Sequence, residues 1–311
     1  MVEKSSRVSS VTAVFVTLLL AGLVGVAVEA PASSTTRRAV PPSATYTVSS
    51  FNVLGASHTP AGGARSTGAT RIIWANQLLD QHGVDVVGFQ EMQASQLTKF
   101  LQITAGAWGV YPGFTLRARD TENSIGWRTD EFDLVQATTV NIPYFNGTPR
   151  PMPVVLLREK TSGLMSYFTN FHNPADTAQY RNQAKWRAEA TRVEVALHNQ
   201  LSASGIPRFM TGDMNDRAPY MCRVTAEAPL VAARGGYWSN GVCVANKPRA
   251  VDWIFGSPDL TWSGYTEDRS PLVARTTDHP MIVTDVTVDG TRAPAALSPT
   301  PPPPVVPAVT Y

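Results

Sequence analysis

A strand-like segment that ends in two polar residues constrains the fold of this chain more than any other feature. Residues 206–212 are predominantly apolar, and Asp213 and Asn215 follow. Side chains two positions apart on an extended backbone point to the same side, so both would project from the carboxyl end of the strand. A carboxylate can accept a proton or hold a metal ion, and an amide can donate to a phosphate oxygen. The alternative is an ordinary turn, because Gly, Asp and Asn are common turn residues.

The composition limits the classes of protein that are possible. The 311 residues are 43% hydrophobic and 16% charged, which suits one large globular domain or two small ones. With 26 Lys+Arg against 24 Asp+Glu, the net charge is only +2. This excludes a strongly basic nucleic-acid-binding protein but not a local basic patch.

The N-terminal segment has the pattern of an export signal. An apolar run at 11–28 follows a basic flank, and the small residues Ala-Pro-Ala occupy 30–32. We predict a signal peptide over 1–32 and therefore a secreted protein. Cleavage after Ala32 is favoured over cleavage after Ala30, because the latter would leave Pro31 next to the scissile bond. The alternative is an uncleaved membrane anchor, since the run is near the minimum spanning length. After removal of the leader, no stable membrane insertion is expected.

Two segments flank the part of the chain that is expected to fold. Residues 33–44 are rich in Ser, Thr and Pro and predict a linker. Residues 292–311 contain seven prolines and predict a Pro-rich disordered tail without a core-forming face. The domain between them, 45–291, has the length of a single domain, and we expect a monomer.

Strand and helix patterns alternate within that domain. Strands are predicted at 46–53, 84–90, 124–127, 132–140, 153–159, 166–171, around Met210, at 251–255 and at 281–288. Helices are predicted at 69–82, 95–103 and 177–204. Because strands outnumber helices and two helices follow strands, the pattern predicts a layered α/β domain with mixed sheets face to face and helices outside.

Polar residues recur where these strands end. In chain order they are Asn52, Glu91, His172, Asp213 with Asn215, Asp252, and Asp278 with His279. Each has an ordinary structural explanation, such as a turn, a first-turn carboxylate or a helix cap. A single histidine is more often structural than catalytic. Six occurrences at successive strand ends are better explained by one shared site.

This ordered set resembles the endonuclease/exonuclease/phosphatase superfamily, which includes deoxyribonucleases, abasic-site endonucleases, bacterial sphingomyelinases and inositol-polyphosphate phosphatases. The resemblance extends from Asn52 to His279. It implies an α/β fold, a four-layered α/β sandwich with two mixed β-sheets flanked by helices. It also implies a divalent-metal-dependent phosphoric ester hydrolase in which water attacks in line with the leaving group.

The resemblance implies a metal site built from oxygen ligands. Glu91 matches the main metal carboxylate of the family, with Asn52 and Asp278 as ligands or water-mediated contacts. Few protein oxygen ligands suit Mg²⁺ or Mn²⁺, which keep waters and accept substrate phosphate oxygens.

The other matching residues would act on the phosphate. Asp213 matches the residue that orients or deprotonates the attacking water, and Asn215 the one that donates to a phosphoryl oxygen. His279 matches the histidine near the scissile phosphate, with Asp252 as its orienting carboxylate. His172 matches a second histidine on the other side of the phosphate.

Two departures bear on the substrate. Deoxyribonucleases of the family have a tyrosine before the middle strands, and residues 116–124 contain none. Arg117, Arg119 or Asn123 could take the phosphate there, or could be loop surface. No arginine lies beside Glu91 to enter a minor groove, so double-stranded DNA is not supported as the substrate.

Three classes of function stay open. The leading one is a phosphodiesterase with nucleic acid as substrate, for which Arg181, Lys185 and Arg192 on the predicted third helix could supply charge or could be solvated surface. The second is a phospholipid head-group phosphodiesterase of sphingomyelinase type, or an inositol phosphatase. An exposed aromatic hairpin would favour lipid, and Trp262 and Tyr265 are candidates for it unless they belong to the core. The third is a non-catalytic binding module on the same fold.

The two cysteines, Cys222 and Cys243, are the only ones in the chain. In an exported protein they predict one disulfide, which closes a loop in the segment between the Asp213 strand and the Asp252 strand. The alternative is two buried thiols.

Overall fold

The computed structural model of the chain describes residues 42–59 and 62–290. The predicted signal peptide, most of the linker and the Pro-rich tail lie outside these residues. Among the helices in the described ranges, none is both long and apolar enough to cross a membrane.

The described part of the chain contains fourteen strands and five α-helices. The first half contains β1 Ser43–Asn52, α1 Gly68–Gln81, β2 Val86–Gln90, α2 Ala94–Thr104, β3 Trp108–Tyr111, β4 Ile125–Arg128, β5 Phe132–Pro143, β6 Pro149–Glu159 and β7 Met165–His172. The second half contains α3 Ala184–Ser202, β8 Arg208–Asp213, α4 Ala218–Glu227, β9 Val231–Ala232, β10 Gly236–Ser239, β11 Val242–Ala245, β12 Asp252–Gly256, β13 Thr261–Asp268, α5 Pro271–Thr276 and β14 Met281–Asp289.

Two six-stranded sheets form the framework. Their strand orders are β13-β14-β1-β2-β4-β3 and β5-β6-β7-β8-β12-β9, and β10 and β11 pair separately as a hairpin. Each sheet has one parallel pair, β1 with β2 and β7 with β8, and its other pairs are antiparallel. Both sheets are therefore mixed, as predicted.

Aromatic residues fill the space between the sheets. Tyr46 of β1 packs on Phe209 of β8, with ring centroids 5.9 Å apart, and Phe209 stacks on Phe168 of β7 at 4.7 Å. Each buried ring contributes about 1.5–3 kcal/mol to folding. The outer faces carry further apolar clusters, with α1, α2 and α5 on the first sheet and α3 and α4 on the second. These layers confirm the predicted α/β sandwich of two mixed sheets flanked by helices.

A buried polar network joins the two sheets close to their carboxyl ends. Gln90 Nε2 of β2 donates to Asn170 Oδ1 of β7 at 2.6 Å, and Asn170 Nδ2 donates to the Phe89 carbonyl at 2.6 Å. A Cβ at Gly88 would overlap the Thr211 hydroxyl, so glycine permits this close approach. The ends of β2 and β7 are thereby held together.

The third helix is shorter than predicted. The pattern predicts a helix from residue 177, whereas α3 begins at Ala184. Side chains compete for the backbone there: Asp176 Oδ1 accepts the Gln183 N–H at 2.7 Å, and Thr177 Oγ1 accepts the Tyr180 N–H at 2.9 Å. These local bonds stabilise a loop instead of a helical turn.

The segment after β8 contains more regular structure than predicted. Here α4, β9 and the β10–β11 hairpin lie where only a loop-rich stretch is expected, and β13 and α5 precede β14. Asn240 and Gly241 join β10 to β11 with φ of 48° and 80°, the signature of a tight two-residue turn. The strands of this hairpin are four residues each, too short for periodicity to reveal.

Candidate active site

Strand register brings three predicted residues side by side in the second sheet. His172 at the end of β7 pairs with Asp213 at the end of β8, and Asp213 pairs with Asp252 at the start of β12. Paired residues on neighbouring strands project from the same face of a sheet. Residues that are far apart in sequence therefore meet at one edge of the sheet.

The first sheet adds Asn52 and Glu91. Asn52 Nδ2 donates to Glu91 Oε1 at 3.0 Å and to Asp213 Oδ2 at 3.1 Å, and thus links carboxylates from both sheets. Its oxygen accepts the Leu54 N–H at 3.0 Å. In this orientation Asn52 orders the two carboxylates without presenting its oxygen to a cation, and its role as a metal ligand stays a prediction.

Glu91 is held in an unusual conformation and a polar environment. Its φ is 61°, in the left-handed region that costs a non-glycine residue about 1–3 kcal/mol and is typical of functional sites. Its Oε2 accepts the Gly55 N–H at 2.9 Å and lies 3.0 Å from His58 Nδ1. Burial opposes ionisation, but the bonds from His58, Asn52 and Gly55 together with His172 hold the pKa of Glu91 well below its usual range.

Asp213 lies at the centre of the site. Its Oδ2 is 3.6 Å from His172 Nε2 and 3.6 Å from His279 Nε2. Its Oδ1 accepts the backbone N–H of Asn215 at 3.0 Å. The carboxylate is 1% exposed, so its position is fixed from several sides. Such a carboxylate can orient a water molecule and accept its proton.

His279 and Asp252 form a hydrogen-bonded pair. His279 Nδ1 lies 3.0 and 3.1 Å from the two carboxylate oxygens of the buried Asp252. Burial favours the neutral imidazole, but the bond to Asp252 and the charge of Asp213 outweigh it and raise the pKa of His279 to about 10. The ring is therefore an imidazolium at neutral pH, with its Nε2–H directed toward the site.

Two sets of residues could hold a cation. Asp213, Asp252 and His279 each offer one ligand atom, and these atoms lie within 4.8 Å of one another. Glu91 and Asp213, two carboxylates joined through Asn52, are a second set, and their oxygens suit a hard cation. Asp278 is exposed and, with Glu91, contributes to the raised pKa of His58.

Asn215 follows Asp213 in a left-handed conformation with φ of 47°. Its Nδ2 donates to the Asn173 carbonyl at 2.9 Å, which leaves the second amide hydrogen for another acceptor. Asn215 lines the same cavity as Asp213 and His279. Its role as a donor to phosphate stays a prediction.

Sequence reasoning missed three residues of the site: His58, Tyr144 and Arg150. Tyr144 follows β5, and its hydroxyl lies 3.4 Å from His172 Nδ1, so a tyrosine reaches the site from outside the 116–124 segment. The Arg150 guanidinium lies 4.9 Å from the centre of the Tyr144 ring. All three lie in loops or at strand starts, where no pattern marks them.

The arginines that the sequence suggested do not line the cavity. Arg117 and Arg119 have side chains that are each 60% exposed and that pair with Asp120, and Asn123 is buried. Arg150 Nη1 instead bonds the Arg119 carbonyl at 2.7 Å and Glu122 at 3.1 Å. On the other predicted basic face, Arg181 precedes α3, the Lys185 ammonium lies over the Trp186 ring and Arg192 pairs with Glu189.

A cavity of about 650 Å³ joins these parts. One side carries the strand-end residues and their neighbours, namely His58, Glu91, His172, Asp213, Asn215 and His279. The other side carries Tyr144, Phe145, Arg150 and Tyr180. The predicted residues Asn52 and Asp252 lie behind the first side and hold its members in place.

The disulfide is confirmed, and an exposed hairpin is found at an unexpected place. Cys222 of α4 and Cys243 of β11 are bonded, with Cα atoms 5.6 Å apart. Trp262 packs on the core, 5.8 Å from Phe209, and Tyr265 also contacts that core, so neither forms an exposed aromatic hairpin. The β10–β11 hairpin instead exposes four large apolar side chains: Tyr237, Trp238, Val242 and Val244.

The sequence profile of the Endonuclease/Exonuclease/phosphatase family matches residues 49–279, which include every strand-end residue of the site. The chain belongs to this family. Among curated proteins, none matches its sequence.

Solved structures of the family share the fold. The catalytic domain of human Nocturnin with a bound sulfate anion has a TM-score of 0.61 at 17% identity, over 79% of this chain and 98% of that one. A mannosyl-6-phosphatase of Bacteroides thetaiotaomicron has a TM-score of 0.58 at 19% identity, over 78% and 99%. TDP2 of D. rerio, complexed with a single-strand DNA product, has a TM-score of 0.56 at 16% identity, over 78% and 99%.

Proposed function

We propose that the protein is a secreted, magnesium-dependent phosphodiesterase with single-stranded nucleic acid as its leading substrate class. The observation that carries the proposal is Asp213, a buried carboxylate between the Nε2 atoms of two histidines. The proteins that share the fold of this chain include a phosphatase and a protein bound to a DNA product, which supports phosphoester chemistry.

The residues divide the work of hydrolysis. Asp213 orients the attacking water and takes its proton, while His172 and His279 approach the same point and donate to phosphate oxygens. The His279–Asp252 pair keeps the imidazole charged, which stabilises the additional negative charge of the transition state. Glu91 would hold the cation, which, when bound, neutralises phosphate charge.

A substrate panel tests the proposal. We would measure cleavage of single-stranded DNA, RNA, double-stranded DNA, sphingomyelin vesicles, an inositol polyphosphate and a generic phosphodiester, each with Mg²⁺ and with a chelator. We expect cleavage of single strands that the chelator abolishes. Binding of any of these without cleavage would contradict the proposal and favour a binding module.

One observation favours a second candidate, a head-group phosphodiesterase acting on lipid. The hairpin exposes Tyr237 to 56% and Val242 to 57%, and the Cys222–Cys243 disulfide ties it to α4. Exposed apolar residues on a fixed hairpin suit the surface of a lipid aggregate. Faster cleavage of sphingomyelin vesicles than of any nucleic acid would establish this candidate in place of the first.

Secretion has its own test. The leader pattern at 1–32 and the disulfide both support export. N-terminal sequencing of the protein from culture medium should give a start near residue 33. Recovery of Met1 from the membrane fraction would favour the uncleaved anchor.

A further inference from the structure

Four aromatic rings follow one another along the cavity, beginning with His172 on the strand-end side. The ring of His172 lies 5.7 Å from Tyr144, Tyr144 lies 4.4 Å from Phe145, and Phe145 lies 4.3 Å from Tyr180. The last two rings are nearly parallel, with planes 12° apart. We call Phe145 and Tyr180 the aromatic pair. It lies in the same cavity as Asp213, and the ring series connects it to the phosphate-directed histidine.

Core packing does not explain the aromatic pair. Both rings are only half-buried, and neither belongs to the hydrophobic clusters that fill the described layers. An aromatic residue that serves only the core is normally buried within it. These two rings instead keep part of their surface on the cavity.

The two loops that carry the pair are fastened to each other. The Gln183 side chain accepts the Asn146 N–H at 2.9 Å and donates to Asn146 Oδ1 at 3.1 Å, a reciprocal pair next to both rings. Gln183 is 1% exposed, and its own N–H is bound by Asp176. The position of the aromatic pair is therefore set before any ligand enters, which reduces the entropy lost on binding.

We propose that the aromatic pair binds a nucleobase of the substrate, so that the enzyme selects phosphodiesters between nucleosides. This deepens the proposed function and rests on it. A planar base packs well against fixed aromatic rings, and stacking tolerates every base because each has a π-face. The Arg150 guanidinium lies over the Tyr144 ring of this series and pairs with Glu122, which fixes the middle of the series in place.

Matched dinucleotides test the inference. One substrate carries both bases, and the other two lack the base on the 5′ or the 3′ side but keep the sugar and the phosphodiester. With Mg²⁺, we expect the wild-type kcat/KM to fall by about 5- to 150-fold when one particular base is missing, the range that stacking is worth. Phe145→Leu and Tyr180→Leu should reduce this preference toward one, because kcat/KM for the substrate with both bases falls toward the value for the abasic one.

Two kinds of variant serve as controls: those that retain an aromatic ring at the aromatic pair, and one that alters an aromatic residue elsewhere. Phe145→Tyr and Tyr180→Phe retain an aromatic face and should keep the preference. Tyr237→Ser alters an exposed aromatic residue of the hairpin outside the cavity and should also keep it. The wild-type comparison needs no variant, so a folding defect in a leucine variant leaves the test intact.

The outcomes separate the two proposals. If the wild type cleaves all three dinucleotides equally, the base-binding inference is wrong and the phosphodiesterase proposal stands. If it cleaves none of them but cleaves sphingomyelin vesicles, both the inference and the nucleic-acid assignment are wrong. If a clear base preference persists in both leucine variants, the base binds elsewhere and the inference is wrong.

Discussion

The two sides of the cavity are built in different ways. The side with Asp213 and His172 is fixed by strand register, since these residues pair across neighbouring strands, and their carboxylates and rings are almost completely buried. The side with Phe145 and Tyr180 consists of loops that a single glutamine, Gln183, holds together. We therefore propose that the reaction chemistry resides in the sheets and that substrate selection resides in the loops. Mutations on the two sides should therefore affect different kinetic parameters.

A large effect is expected at His279 on the strand-end side. His279→Ala should lower kcat by about 10²–10⁴-fold, or about 3–5 kcal/mol of barrier, because a charged donor to phosphate is lost. Asp252→Asn should cost less alone and almost nothing in the His279→Ala background, since Asp252 acts through that ring. Steady-state rates of both single variants and the double variant give the coupling. Additive losses would show that Asp252 has a separate role.

Glu91 should control the metal requirement. Glu91→Gln removes a carboxylate charge and should raise the Mg²⁺ concentration for half-maximal rate by at least about tenfold. Glu122→Gln is the matched control, because Glu122 lines the same cavity but bonds Arg150. Metal titrations of the rate compare the two variants. Equal shifts would mean that Glu91 acts only through the general charge of the cavity.

Glu194 of α3 is a buried carboxyl group, and it should make the stability of the fold depend on pH. Burial raises its pKa to about 7, although the hydrogen bond from Tyr220 opposes the shift. The native state thus keeps a proton that the unfolded chain has lost, so this group's stabilisation is complete below about pH 4.5 and is lost as pH rises through about 7. Glu194→Gln should therefore gain about 3 kcal/mol relative to wild type between pH 4.5 and pH 8.

Chemical denaturation at several pH values measures this gain. Glu189→Gln, on the same helix with a side chain 41% exposed, is the control and should show no comparable change with pH. If the free energy of unfolding of Glu194→Gln differs from that of the wild type by the same amount at every pH, the raised pKa of Glu194 is contradicted.

The smallest effect should be on the loop side. Gln183→Leu removes the reciprocal bonds to Asn146 and should cost about 1–3 kcal/mol of folding stability. On a dinucleotide substrate, KM should rise severalfold while kcat stays within about twofold, because binding and not chemistry is disturbed. Gln102→Leu, at an exposed position of α2, should leave both unchanged. A loss in kcat that matches the rise in KM would break the division between the two sides.

The same division explains what the sequence could predict. Asn52, Glu91, His172, Asp213, Asp252 and His279 lie at or within two residues of strand ends. Strand-like segments in the sequence therefore located them, and strand pairing explains why His172, Asp213 and Asp252 meet. The fold class followed from the same patterns. Their individual roles, together with secretion, stay predictions.

The residues that the sequence did not reveal lie in short connections or at the start of a strand. His58, Tyr144 and Arg150 reach the cavity through turns and side-chain bonds that no periodicity marks. The start of α3 was misplaced because Asp176 and Thr177 bond the backbone locally and stabilise a loop. The contacts of His58, Tyr144 and Arg150, in contrast, join residues far apart in the sequence and depend on the assembled sheets, which sequence patterns do not specify.

In the proposed mechanism, Asp213 lies between two histidines and activates the attacking water. Asp213→Asn keeps the shape and the oxygen that accepts the Asn215 N–H but removes the base. The most direct test is the turnover of this variant on a phosphodiester that the wild type cleaves, with melting temperature as a folding control. We predict a fall in kcat of at least about 10²–10⁴-fold in a variant that is still folded at the assay temperature. Wild-type turnover by Asp213→Asn would contradict the mechanism.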